Sequence, residues 1–164
     1  MKKISPAFKY LFVTVLLAYT TNSIAEGVIS ISPGKIKQQV GELFTIEVLS
    51  SEVAAMDGGA FGIRFNPNVV TVHSVEVNRD VWGFSSSNGV IDNQKGRVTD
   101  IAFSSYTPAG SAVIAVVTLQ ALKKGRSRLT LTPSRLSPFA SEADVLDMQF
   151  QKGVVRVIPA KAGI

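Results

Sequence analysis

The chain has no cysteine, one histidine and one tryptophan among its 164 residues. Without cysteine it can form no disulfide and carry no lipid-modified N-terminal cysteine, so a hydrophobic core must hold the fold alone. A single histidine, His73, is too few for a histidine-based zinc site and leaves one imidazole at most to activate a nucleophile. No apolar run reaches the roughly 20 residues that span a bilayer as a helix. Carboxylates nowhere alternate densely, as they do in a calcium loop. There is no internal repeat and no long amphipathic helical pattern.

What is present begins with an export pattern. Lys2, Lys3 and Lys9 precede the apolar run Leu11–Ala18, and Ser23-Ile24-Ala25 supplies the small residues that a signal peptidase reads. The expectation is a leader over 1–25, cleaved after Ala25; an uncleaved anchor is the competing reading, for which the run is short. Export places the mature chain in the periplasm or outside the cell, soluble once the leader is gone. The leader holds three of the 17 Lys and Arg; the remaining 14 face 12 Asp and Glu, so the net charge falls from +5 to +2. The high isoelectric point therefore belongs mostly to the leader and does not argue for nucleic acid. The remainder suits one domain, expected over 26–158, with a frayed tail at 159–164.

Strand periodicity dominates that domain. Leu43–Leu49 alternates as a half-buried strand does. In Ala60–Phe65, Phe61, Ile63 and Phe65 share one face while Ala60, Gly62 and Arg64 share the other. Val69–Val77, Arg97–Ser104 and Ser127–Thr132 also read as strands. Ala112–Leu122 is apolar enough to suggest burial on both faces. Asn78–Gly96 has no clear period, Tyr106–Gly110 reads as a loop, and Ser134–Asp147 reads as irregular with a helical turn near Ser141–Val145. About nine short strands between Gly, Pro, Asn and Ser turns predict an all-β, nine-stranded antiparallel sandwich of jelly-roll kind.

Few residues suggest chemistry. His73 falls on the alternation of Val69, Thr71, Val75 and Val77, and is read as a packed structural histidine. The carboxylates are scattered; Asp144 with Asp147, or Asp92 with Asp80, offer oxygens for calcium, against the plainer reading of solvated loop acids. Neither a metal nor a cofactor is expected, and the chain is read as no enzyme; a hydrolase would need two carboxyls facing across a cleft. Trp82 and Phe84, with Tyr106 beside Pro108, are candidates to stack on sugar rings, or else to plug one end of the sandwich. Lys123, Lys124, Arg126 and Arg128 form a basic turn read as guarding a sheet edge.

Taken in order, several segments resemble the cohesin domain: Val40–Ile46, Phe61–Val70, Gly96–Val98, Val113–Leu119 and Gly153–Val157. The resemblance runs from Ile29 to Val157. It implies a nine-stranded jelly-roll module without catalysis, akin to carbohydrate-binding modules, that holds a dockerin and is linked to polysaccharide breakdown. Asn66-Pro67 stands where the family has Asp-Pro. Gly58 and Ala60, nine and seven residues before that proline, stand where well-known members have an Asn and an Asp that bind the partner. The expected protein-binding surface is Ala60, Gly62 and Arg64, joined by Val98, Asp100 and Ala102 from a neighbouring strand. The second expectation is direct sugar binding through Trp82, Phe84 or Tyr106.

Overall fold

The computed structural model describes residues 26–161, so the expected leader and the last three residues of the expected tail lie outside the described residues. Within it the chain is all β. The strands are β1 (Gly27–Ser32), β2 (Lys35–Gln39), β3 (Leu43–Ser51), β4 (Met56–Arg64), β5 (Val70–Val77), β6 (Ser85–Asp92) and β7 (Arg97–Ala109). They are followed by β8 (Ala112–Ala121), β9 (Gly125–Pro133), β10 (Ala140–Ser141), β11 (Asp144–Val145), β12 (Met148–Phe150) and β13 (Gly153–Ile158).

Two sheets stack face to face. One runs β12-β1-β3-β8-β5; the other runs β6-β7-β4-β9-β13-β2. The hairpin β10-β11 lies beside the first half of β4, with Ala140 opposite Gly58, while β9 holds the second half. The two-layer sandwich is as expected, but it is not purely antiparallel. β1 pairs with β12, and β2 with β13, in parallel. The course β1-β2 crosses from one sheet to the other and β12-β13 crosses beside it, which fixes both parallel pairings.

Alternation builds the core. In β3, Phe44, Ile46 and Val48 are buried while Leu43, Thr45 and Glu47 are exposed. In β9, Ser127, Leu129 and Leu131 are buried between exposed or half-exposed neighbours. Each fully buried aliphatic side chain contributes about 1.5–3 kcal/mol. An aromatic cluster fills one region of the core: Phe103 sits with its ring centroid 4.8 Å from Trp82, 5.6 Å from Phe139 and 6.3 Å from Phe61.

Three sequence expectations are corrected here. Ala112–Leu122 is not buried on both faces: after a bulge that buries Ile114 and Ala115 together, β8 alternates, with Val117, Leu119 and Ala121 inward. The stretch without period contains β6, an edge strand whose Ser, Asn and Gly residues are mostly exposed. The expected helical turn is the β10-β11 hairpin, whose central residues Glu142 and Ala143 have φ of 48° and 76°. Positive φ at both central positions gives the turn that matches strand twist. The Asp57 carboxylate accepts the Glu142 N–H and pins this hairpin to the start of β4.

Candidate interaction surface

The outer face of β6-β7-β4-β9 carries most of the expected surface residues. Strand register sets its rows: Ser85, Ser104 and Gly58; Ser87, Ala102 and Ala60; Asp92, Arg97, Arg64 and Thr130. Gly62 faces Thr132. Arg64 is exposed, and Ala102 is half-buried. Ala60 and Gly62 point outward but are buried among their neighbours, and the backbone of Ala60 is bonded to Ser134 N–H and Ser137 C=O.

Val98 does not belong to this face. It is 1% exposed and points into the core, as does Ile101. Two inward residues three apart require an extra residue between them. The pairing of β4 with β7 slips between Phe61 and Ile63, and Asp100 adopts φ 59°. That is a β-bulge, which reverses the facing of every residue beyond it. Asp100 remains exposed at the bulge. Across from it on β6, Gly89 has φ 80°, and a Cβ there would lie 2.4 Å from Thr99 O, so only glycine fits.

A bulge also corrects His73. The pairing of β5 with β8 slips between Val72 and Ser74, which turns His73 out to solvent, where its Nε2 lies 3.1 Å from Gln120 Oε1. It is not a packed core histidine.

The aromatic candidates separate. Trp82 is fully buried, and its Nε1–H donates to Val113 O at 3.0 Å. No sugar can stack on it. Phe84 and Tyr106 are 60% and 80% exposed, with rings edge to face and centroids 4.8 Å apart. They sit at the end of the β6-β7 ladder, and β7 continues as a strand to Ala109, over most of the expected Tyr106–Gly110 loop.

Gly58, where the resemblance implied an Asn, cannot hold a side chain on this backbone. A Cβ on Gly58 would lie 2.3 Å from Phe103 O and 2.9 Å from Ser104 Cα. A shallow hollow of about 350 Å³ lies over Gly58, Ala102 and Ser104, walled by Ser85, Ser137 and Pro138.

At the other end of the face, Asp92 organises the β6-β7 turn. Its carboxylate accepts the Lys95 N–H at 3.0 Å and lies 3.6 Å from Lys95 Nζ and 3.7 Å from Arg97 Nε. The backbone hydrogen bond from Lys95, helped by both cations, holds the Asp92 carboxyl below its ordinary value. With its oxygens engaged this way, Asp92 is poorly placed to join Asp80 around calcium. Among the described residues, no three His, Cys, Asp or Glu side chains gather as a metal site.

Sequence reasoning missed two exposed apolar residues, the first of them on this face. Val90 on β6 is 63% exposed and pairs with Thr99, and Leu136, in the segment after β9, is 96% exposed. The signal for Val90 lay in a strand that composition hid. Leu136, between Arg135 and Ser137, carried no pattern at all.

Comparison with known proteins agrees with this architecture. Solved structures similar to the chain include a cohesin of Clostridium acetobutylicum, at 18% identity and TM-score 0.63, covering 80% of this chain and 92% of that one. A non-cellulosomal cohesin of the archaeon Archaeoglobus fulgidus matches at 12% identity and TM-score 0.64, covering 82% and 92%. A type I cohesin–dockerin complex of Clostridium thermocellum contains a chain at 12% identity and TM-score 0.64, covering 84% and 95%. No curated protein sequence matches the chain. The sequence pattern of the cohesin domain matches residues 29–157. The chain belongs to the cohesin family.

Proposed function

We propose that the protein is an exported, non-catalytic module that holds another exported protein, dockerin-like in role, on the outer face of β6-β7-β4-β9. The observation that carries this reading is an open sheet face with a floor of small residues, bordered by exposed Val90, Arg64 and Asp100. A flat floor lets a partner approach closely, and scattered apolar and charged side chains supply the few strong contacts on which protein interfaces depend. Family membership supports a protein partner, and the export pattern of residues 1–25 supports an extracytoplasmic one.

The partner cannot be gripped in the usual family manner. Two side-chain hydrogen bonds are lost at Gly58 and Ala60, each worth about 0.5–3 kcal/mol. Recognition passes instead to Arg64, Asp100 and Val90. The test is capture of the host's exported proteins, and of a dockerin panel, on the immobilised mature chain. A captured protein should be released by Arg64→Glu and by Val90→Asp while both variants keep their unfolding midpoints. Undiminished capture by both sinks the reading. N-terminal sequencing of exported protein should find Glu26 first.

A second reading, direct sugar binding linked to polysaccharide breakdown, is favoured by the exposed Phe84–Tyr106 pair alone. Retardation in polysaccharide gels, abolished by Tyr106→Ala and untouched by Arg64→Glu, would select it.

A further inference from the structure

The far end of the same sheet carries a concentration of positive charge that the proposed docking face does not use. Parallel pairing of β2 with β13, and antiparallel pairing of β13 with β9, put Lys37, Arg156 and Arg126 in one row across three strands. The next row is Lys35, Val154 and Arg128. All five cations are exposed, and neighbouring strands lie only about 4.8 Å apart. Lys35, Lys37, Lys124, Arg126 and Arg156 line a groove of about 650 Å³ floored in part by Val154. Among the described residues none of these cations has an ion-pair partner; the ion pairs present are Lys95–Asp92 and Arg97–Asp92. The Glu42 carboxylate, close to the end of β2, accepts the Gln39 N–H.

Like charges directly opposite each other on a sheet destabilise it, so the rows need a reason. Edge protection accounts for lysines on β2, the outermost strand. It does not account for Arg126, Arg128 and Arg156, which stand on the interior strands β9 and β13. Arginine is the residue suited to hydrogen-bonding a carboxylate through two parallel N–H groups.

The backbone of β2 narrows the occupant. Val154 N–H bonds to Gly34 O, and Val40 N–H bonds to Ile158 O. By parity the even-numbered residues of β2 turn their peptide groups to β13, and Lys35 and Lys37 turn theirs to the open edge. No bond to those groups exists among the described residues. An added strand would repeat same-face side chains every ~6.6–6.8 Å, the spacing that separates Lys35 from Lys37. A polysaccharide or a lipid surface could meet the charges but offers no peptide ladder to the edge.

We propose that β2 accepts an extended acidic segment of a partner protein as an additional strand, with carboxylates at alternate positions opposite Lys35 and Lys37 and within the field of Arg156 and Arg126. The edge would supply main-chain hydrogen bonds and the cations would select the sequence. This site is separate from the proposed docking face and does not depend on it.

The test measures fluorescence anisotropy of a labelled peptide alternating Glu and Thr, with the full mature chain at low salt. A second peptide, N-methylated at alternate residues on the side that pairs, keeps every charge but cannot form the ladder. The first peptide should bind and weaken as salt rises, and the second should not bind. Lys37→Gln should weaken binding roughly two- to fivefold, as for one exposed ion pair, and Arg156→Glu more than about tenfold through like-charge repulsion. Lys37→Pro should abolish binding, since proline removes an edge N–H without touching a bond to β13; its unfolding midpoint confirms that it folds. Should it not fold, the methylated peptide decides on the unaltered protein. Equal binding of the two peptides, or binding of neither, overturns the proposal. So does tighter binding of polygalacturonate or of phosphatidylglycerol vesicles.

Discussion

Replacing Trp82 with alanine should cost this protein a large part of its stability without touching its binding surfaces directly. The indole is fully buried, packs edge-on against Phe103 at 4.8 Å, and donates to Val113 O at 3.0 Å. Truncating a buried aromatic of this size costs about 3–5 kcal/mol, of which the hydrogen bond supplies about 1 kcal/mol. That share stays small because Val113 O also accepts from Asn78 Nδ2 at 3.2 Å and is not left bare. Against a total of about 5–15 kcal/mol, a fifth or more of the stability disappears. A domain of this size loses about 3–6 °C in Tm per kcal/mol, so Tm should fall by at least about 10 °C. Trp82→Phe keeps most of the ring and should cost about 1–2 kcal/mol. Urea unfolding followed by circular dichroism measures both. Because Trp82 is the one tryptophan, native emission reports on it directly and should be blue-shifted and poorly quenched by acrylamide. An alanine variant with an unchanged midpoint, or a red-shifted and easily quenched native emission, would refute the burial and return the indole to the sugar-binding candidates.

Ser50 is 2% exposed, and its Oγ accepts the Ala112 N–H at 3.0 Å where β8 begins; Ser50→Ala strands that donor and should cost about 1–3 kcal/mol in chemical denaturation. The Asp92 carboxyl is held below its ordinary value of 3.8, chiefly by the Lys95 N–H; burial opposes this, and the Lys95 and Arg97 charges add to the lowering. The unfolded chain therefore takes up this proton more readily, so the stabilisation is full above the ordinary value and lost as pH falls through the depressed one. Asp92→Asn should lower Tm at neutral pH and match the parent in strong acid; an equal deficit at both ends would contradict the cause. Asp100 holds φ 59° at the β7 bulge, a conformation that glycine adopts freely. Asp100→Gly should leave the unfolding midpoint unchanged or raise it, while weakening capture of the partner on the docking face. Weakened capture with a lowered midpoint would place Asp100 in folding rather than binding.

Much of the sandwich was legible because alternation works where pairing is regular. Phe44, Ile46 and Val48 in β3, and Leu129 and Leu131 in β9, face inward as their spacing predicts. Alternation fails at bulges, since one extra residue moves everything beyond it to the opposite face. His73 and Val98 were misplaced for this one reason, and each lies beside a register slip. Nothing in Val72-His73-Ser74 or Val98-Thr99-Asp100 announces a bulge locally; the slip is set by what the partner strand must match. β6 was hidden differently. An edge strand with little buried surface needs no apolar alternation, so Ser85–Gly89 looked like a loop.

The two proposed surfaces were legible to different degrees, and the reason is sequence distance. Arg64 and Asp100 fall on strands that pair antiparallel and whose alternation is largely visible, so a face containing them could be read up to the bulge. The cationic rows could not. Lys35, Lys37, Arg126, Arg128 and Arg156 each read as an ordinary outward residue of its own strand, and only the parallel pairing of β2 with β13 brings Lys37 beside Arg156. A parallel partner leaves no hairpin turn to reveal it, because the strands are joined through the whole domain. The charge is nearly balanced over the described residues, with the acids and bases of the sequence differing by two outside Lys2, Lys3 and Lys9. Net charge therefore concealed a strong local asymmetry. A sheet that could have interleaved acids with those bases does not, and the open edge of β2 lies where the unanswered charge is greatest.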